Sequence, residues 1–376
     1  MLIAEEKHLK ILQEVVSLPT APFYEERVVQ YIHEFASKHN LLVHQDAYGN
    51  QSVEYKNTNN SVPLGFLAHM DHPGFVIESV EKSLLKLRAL GGVVVPQKED
   101  KLRLFADRKE NLVSVVETLE EKTESTKATY VFTQGYIPEK MYGFAMYDLD
   151  AYRLEQDIVY SRAMDDLAGC AALLALLSLL SEKKPQAHIH VFFSRAEETG
   201  FIGTCAMSLY NTLPQGVPII TLEASKELPG IAVQGEGVVV RLGDRSGMFD
   251  GETTAFLLDA ASSLATQEKD FRYQKAILNG GTCESSVLYN FGYPTTGMAV
   301  PLGCYHNNSP SGKAECEYIH KNDWLNMVNL LWTSVLQSEQ RIAQKEAKKQ
   351  GFIKRFKEHE HRLNISYIPQ LVSELF

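Results

Sequence analysis

The residues able to do chemistry in this chain are two imidazoles and a set of carboxylates, arranged in five short clusters. In chain order they are His69 and Asp71 of "LGFLAHMDHPGF", Asp165 and Asp166 of "SRAMDDLAGCAALLALL", and Glu197 and Glu198 of "HIHVFFSRAEETGFIG". Glu223 of "VPIITLEASKELPG" and His306 of "TTGMAVPLGCYHNNSP" follow. Each cluster stands where an apolar, strand-like run gives out. Imidazoles and carboxylates delivered to one edge of a sheet are the donors that hold a pair of zinc-like divalent ions. A carboxylate beside such a pair can carry protons.

Each cluster alone has a plainer explanation. A histidine after a strand is usually a hydrogen-bonded structural residue, but Asp71 would accept the other ring N–H of His69 and raise its basicity as a ligand. Asp165 and Asp166 open an apolar helix, so capping and dipole compensation explain them cheaply; one could still cap while the other bridges two ions. Glu197 and Glu198, adjacent and close to a core strand, repel each other and resist desolvation, and a cation relieves both costs. Neighbouring residues point different ways, so one could bind metal while the other faces substrate. Glu223 and His306 are weak signals by themselves. His188, His190, His320, His359 and His361 are assigned to surface or structural roles. Cys283 of "NGGTCESS" has no patterned His and Asp or Asn partners, and a structural thiol is the better reading. The common order of the five clusters carries the metal reading.

The elements that must position them follow from periodicity. "EEKHLKILQEVVSL" and "YEERVVQYIHEFASKH" are amphipathic helices. "LLVHQDAYGNQSVEYK" is two short strands around a turn, and "PLGFLAHM" a strand buried on both faces. From about residue 78 to 160 the pattern changes to short strand-like runs such as "SLLKLRALGGVVVP", "KLRLFA" and "ATYVFTQ", with no helix of good length. That is a small β domain, and it interrupts two clusters that must meet. A helix over 166–181, "AHIHVFFS", "VPIITLE", "GIAVQGEGVVVRLG", the helical "GETTAFLLDAASSLATQ", "YPTTGMAVPL" and one long helix over 321–349 restore the alternation. The charged stretch "EAKKQGFIKRFKEHEHRL" reads as a solvated helix face. The expected fold is α/β: a mixed, largely parallel sheet sandwiched by helices, with an inserted small β domain. Residues 1–77 and 161–376 would form the discontinuous catalytic domain and 78–160 the insert. In such sheets ligands lie beyond the carboxyl ends of the strands.

The ordered set resembles the cocatalytic two-metal aminopeptidases of the tetrahedral, glutamyl and deblocking type, most specifically in "AHMDHPGF", "AMDDLAGCAALL", "AEETGFIGT" and "GGTCES". The likeness runs from "LPTAPFYEERVVQYI" to about residue 335 and implies the zinc-exopeptidase-like version of this fold. It implies that His69, Asp165 and Glu223 bind one ion and that Asp165, Glu198 and His306 bind the other, with Asp165 bridging. Glu197 would be the general acid/base, Asp71 the partner of His69, and the insert a participant in assembly. Four positions depart from the family: His72 where Glu is usual, Glu223 where Asp is common, Leu167 where Arg often stands, and "GGTCESS" in place of Gly-Gly-Thr-Asp-Ala.

Composition narrows the class. At 376 residues, 44% hydrophobic and 22% charged, the chain suits one large soluble domain and a smaller one. A net charge of −10 argues against a nucleic-acid partner. Five scattered cysteines, none at C-x-x-C spacing, favour a reducing compartment. "MLIAEEKHLKILQEVV" is not a signal peptide, and "LAGCAALLALLSLL" is too short to span a membrane. Together with the resemblance, which implies the activity and the assembly, the expectation is a cytoplasmic homo-oligomer that cleaves N-terminal residues from short peptides, without membrane partners. Two divalent ions per chain, zinc or in its place cobalt or manganese, would acidify a bridging water whose proton Glu197 takes. The alternatives are a deacylase or dipeptidase with the same site, or a non-catalytic assembly or peptide-binding protein that kept a structural metal site.

Overall fold

The computed structural model describes residues 5–59, 62–122 and 127–363. The chain begins with α1 (Glu5–Val16) and α2 (Glu26–Lys38), then β1 (Val43–Gln45), β2 (Gln51–Lys56) and β3 (Leu64–His69). Six strands follow: β4 (Gly74–Glu81), β5 (Leu84–Leu90), β6 (Lys101–Ala106), β7 (Lys109–Lys122), β8 (Lys127–Gln134) and β9 (Gly143–Tyr147). Two short strands, β10 (Arg153–Glu155) and β11 (Ile158–Ser161), lead to α3 (Leu167–Lys183), β12 (His188–Ser194), α4 (Ile202–Leu209) and β13 (Ile219–Lys226). The remainder is β14 (Val238–Asp244), β15 (Gly247–Met248), α5 (Gly251–Gln267), β16 (Tyr273–Leu278), α6 (Glu284–Asn290), β17 (Thr295–Leu302), β18 (Glu317–His320), α7 (Lys321–Gln337) and α8 (Arg341–Leu363).

Among the described residues, nine strands form the main sheet in the order β1-β2-β12-β3-β13-β17-β14-β15, with β16 beside β14. The central pairs β12–β3, β3–β13 and β13–β17 are parallel, as is β14–β16, while β2 and β14 join antiparallel. This is the mixed, largely parallel sheet that the strand–helix alternation predicts. Every residue of β3 is buried, as a strand covered on both faces requires. One cover is α3, apolar all round and buried from Leu167 to Leu180, which lies on β3 and β13 and beneath α1 and α7. Asp166 caps it, accepting the Gly169 N–H at 3.1 Å.

The six strands β4 to β9 close into a barrel, β4-β5-β8-β7-β6-β9, with its own core around Phe75, Leu85, Leu87, Leu104 and Val131. Closure leaves no unpaired edge. The barrel strands run from Gly74 to Tyr147, inside the 78–160 stretch expected for the insert except at its start. Strands β10 and β11 lie outside it, because β11 pairs with β18, Ile158 opposite His320. The helix expected over 321–349 is broken by a 3-10 turn at Ser338–Gln340 into α7 and α8. Helix α7 has its core face buried, whereas α8 is exposed along most of its length, Phe352 and Phe356 included. No helix among the described residues is long and apolar enough to cross a membrane.

Candidate metal centre

Sequence places four of the five clusters at strand ends of the sheet, and the structure brings all five together beyond the carboxyl-terminal side of its central strands, with Asp165 arriving from the start of α3. His69 is the last residue of β3 and is buried. Its Nδ1–H donates to the Asp71 carbonyl at 3.1 Å, which fixes the tautomer and leaves Nε2 facing the carboxylates. Asp165 Oδ1 stands 3.5 Å from His69 Nε2, and Asp165 Oδ2 stands 3.5 Å from His306 Nε2. One carboxylate thus points one oxygen at each imidazole. Glu223 Oε2 lies 3.9 Å from His69 Nε2 and Glu198 Oε1 3.3 Å from His306 Nε2. Two three-residue groups follow, His69–Asp165–Glu223 and Asp165–Glu198–His306, each offering ligand atoms within 4.8 Å of one another. Glu197 Oε2 also approaches His69, at 3.9 Å, so His69, Glu197 and Glu198 form a third such group.

Two placements differ from the sequence expectation. Glu223 lies within β13, which runs on to Lys226, rather than at its end. Strand β3 pairs with β13 only through Thr221, so Glu223 lies past the end of that pairing, where it is buried against His69. Asp71 does more than face His69. Its carboxylate is 3.6 Å from the ring, but Oδ1 accepts the Glu197 N–H at 2.9 Å and Oδ2 the Glu198 N–H at 3.1 Å. Asp71 therefore fixes the turn that carries both glutamates.

The buried charges are unbalanced. Burial pushes Glu223 up to about 8, with Asp165 adding to the shift. Burial likewise raises Glu197, and Glu223 and Glu198 reinforce it against the opposing His69 ring. For His306 burial acts downward, but Glu198 and Asp165 overcome it and lift the ring to about 11. Burial would raise Asp165, yet the His306 and His69 rings hold it below the usual carboxylate range. Asp165 Oδ1, Glu198 Oε1, Glu223 Oε1 and His306 Nε2 are buried without a hydrogen-bond partner. Buried polar atoms are nearly always paired. The orphans of Asp165, Glu198 and His306, with Glu223 Oε2 facing His69 Nε2, present the carboxylate and imidazole donors that divalent cations take, so these residues fit a metal.

Several positioning residues escape sequence reasoning. Glu317, buried in β18, accepts N–H bonds from Met164 (2.6 Å), Asp165 (3.2 Å) and His306 (2.7 Å), tying two distant ligand segments to one carboxylate. His72 donates from Nδ1 to the Asp165 carbonyl at 2.7 Å. Glu25, at the start of α2, accepts from Arg195 Nε (2.8 Å) and the Ala196 N–H (3.0 Å), just ahead of Glu197. A lone acid whose partners are main-chain N–H groups leaves no pattern in the sequence. Buried Arg241 stands 3.9 Å from Glu223, beside a pocket of about 110 Å³ that Tyr305, Thr282 and Cys283 also line. Burial drives the Cys283 thiol up to about 12, which removes it as a nucleophile.

Residues 140–330, just over half of the chain, match the family described as M42 glutamyl aminopeptidase. The chain belongs to that family. It is a metal-dependent aminopeptidase, a hydrolase of peptide bonds. The M42 match spans Asp165, Glu197, Glu198, Glu223 and His306. A protein of Acetivibrio thermocellus described as "Putative aminopeptidase" is 26% identical over 320 residues, covering 81% of this chain and 93% of its own. Among solved structures, an aminopeptidase from the archaeon Desulfurococcus kamchatkensis superposes with a TM-score of 0.73 at 18% identity, over 89% of this chain and 95% of its own. The TET1 peptidase of Pyrococcus horikoshii, which can assemble into a tetrahedron or a large octahedral shell, gives 0.69 at 19%, over 88% and 99%. At these identities the two structures establish the shared fold.

Proposed function

We propose that this M42 aminopeptidase works with two divalent ions, zinc in the first instance, held by His69, Asp165 and Glu223 on one side and by Asp165, Glu198 and His306 on the other. The observation that carries this reading is the Asp165 carboxylate, one oxygen toward each imidazole. When bound, the ions supply an acidified water and polarise the scissile carbonyl. Glu197 accepts the proton and returns it to the departing amine. Its main-chain N–H is held by Asp71, so its carboxylate is aimed by a fixed turn. The pocket beside Glu223 receives the first side chain of a short peptide.

The deciding experiment compares three proteins for zinc content and for cleavage of free and N-acetylated peptides. Asp165→Asn should lose both ions. Glu197→Gln should keep them, while turnover drops roughly 100- to 10,000-fold. Full zinc occupancy in Asp165→Asn would defeat the bridging role. Faster cleavage of the acetylated peptide by the unsubstituted protein would replace an aminopeptidase with a deacylase.

The barrel is the natural division between an inserted domain and the catalytic sheet, and we assign it to assembly. Leu112, Leu119, Met141 and Tyr142 on its outside are exposed apolar residues, as a self-associating surface would present. A homo-oligomer should appear by light scattering. The cysteines remain unpaired, which fits a cytoplasmic protein.

A further inference from the structure

Two histidines assigned to structural roles, His188 and His190, open β12, whose other end leads to the acid pair. Strand periodicity sends Ile189 and Val191 into the main core and puts His188 and His190 together on the opposite face. Antiparallel β2 sets Glu54 directly across from His190 and Lys56 across from His188. The two rings are 4.8 Å apart, and His188 Nε2 lies 2.7 Å from Glu54 Oε1. His190 is stacked against Phe192, nearly parallel at 9°. Each of the three residues offers a ligand atom within 4.8 Å of the others. His188 is buried, and its Nδ1 has no hydrogen-bond partner. A tetrahedral zinc with bonds near 2.1 Å needs ligand atoms about 3.4 Å apart, so small side-chain rotations would close the group on one ion.

We propose that Glu54, His188 and His190 form a further metal site, separate from the peptidase centre, for a zinc-class divalent cation with two imidazoles, one carboxylate and a fourth position open to water. It cannot share an ion with the peptidase centre: His190 precedes Ser194, the end of β12, by four residues, roughly 13 Å of strand. The ion would bind across two strands and fasten β2 and its partner β1, the outer hairpin of the sheet, to β12. Lys56, exposed and opposite His188, opposes the cation, so its charge sets a sign that can be tested.

The test is equilibrium dialysis against Zn²⁺ of the full chain and four variants. The unsubstituted protein should hold one more zinc per chain than His190→Asn, which keeps its peptidase activity. Glu54→Gln, altered on an exposed rim where folding is not at stake, should weaken that extra ion at least about tenfold. Lys56→Gln should tighten it, roughly two- to fivefold. Asp165→Asn should retain it while losing the other ions, so the two sites fail independently. Equal zinc content in the unsubstituted protein and His190→Asn, or no response to Glu54→Gln, would overturn the proposal.

Discussion

At the residue scale, the site depends on side chains that never meet substrate. Glu317 collects three main-chain N–H groups, two beside Asp165 and one at His306. In Glu317→Gln one acceptor oxygen becomes an NH₂ facing a donor. An unsatisfied buried N–H costs about 1–3 kcal/mol, and displacing both ligand segments should lower zinc affinity roughly 10- to 100-fold. Denaturant unfolding and zinc dialysis would each register the change, and a variant that matches the unsubstituted protein in both would show that Glu317 is dispensable. The same carboxylate marks the limit of sequence reading. His69, Asp165, Glu197 and Glu198 stood out as charged or imidazole groups beside apolar runs, whereas Glu223 and His306 were weak signals that only the common order of the clusters and the family resemblance picked out. Glu317 and Glu25 were not legible, because their partners, main-chain N–H groups and for Glu25 also the Arg195 guanidinium, are brought in by folding from other parts of the chain. His188 and His190 were visible, but Glu54 gave no hint of pairing with them until β2 and β12 were in register.

At the element scale, the loop between β5 and β6 brings the barrel against the metal centre. A Cβ on Gly92 would lie 2.5 Å from His306 Nδ1, too close for any real contact. His306 cannot easily retreat, since its ring is stacked on Tyr305 with centroids 3.7 Å apart. Gly92→Ala should therefore push the imidazole away from Asp165 and Glu198. A displacement near 1 Å can cost roughly 100-fold in turnover, and zinc content should fall with it. Unchanged kcat and zinc would mean that the loop yields instead. Element identity was readable from periodicity over most of the chain, including the strand–helix alternation and the β character of the insert. Boundaries set by distant pairing were not: β11, which carries β10 beside it, pairs with β18, and nothing local in "SVLQSEQRIAQ" shows where α7 gives way to α8.

At the scale of the whole molecule, Asp165, Glu197, Glu198 and Glu223 crowd around two imidazoles, and bound cations should stabilise the fold by neutralising them. A ligand present at 1,000 times its Kd adds about 4 kcal/mol. Removing metal with a chelator should lower the melting temperature by several degrees, and zinc should restore it. Asp165→Asn should show a much smaller chelator effect, because it has already lost both ions of the peptidase centre; an equal fall in both proteins would place the stabilising ion elsewhere. The order of strands adds a matter of timing. His69 closes β3, early in the chain, whereas His306 follows β17, which is made late but lies beside β13 near the middle of the sheet. A chain still leaving the ribosome can hold His69, Asp165 and Glu223 but lacks the last imidazole. The ligand set that includes His306 is therefore complete only once the chain has been made through β17.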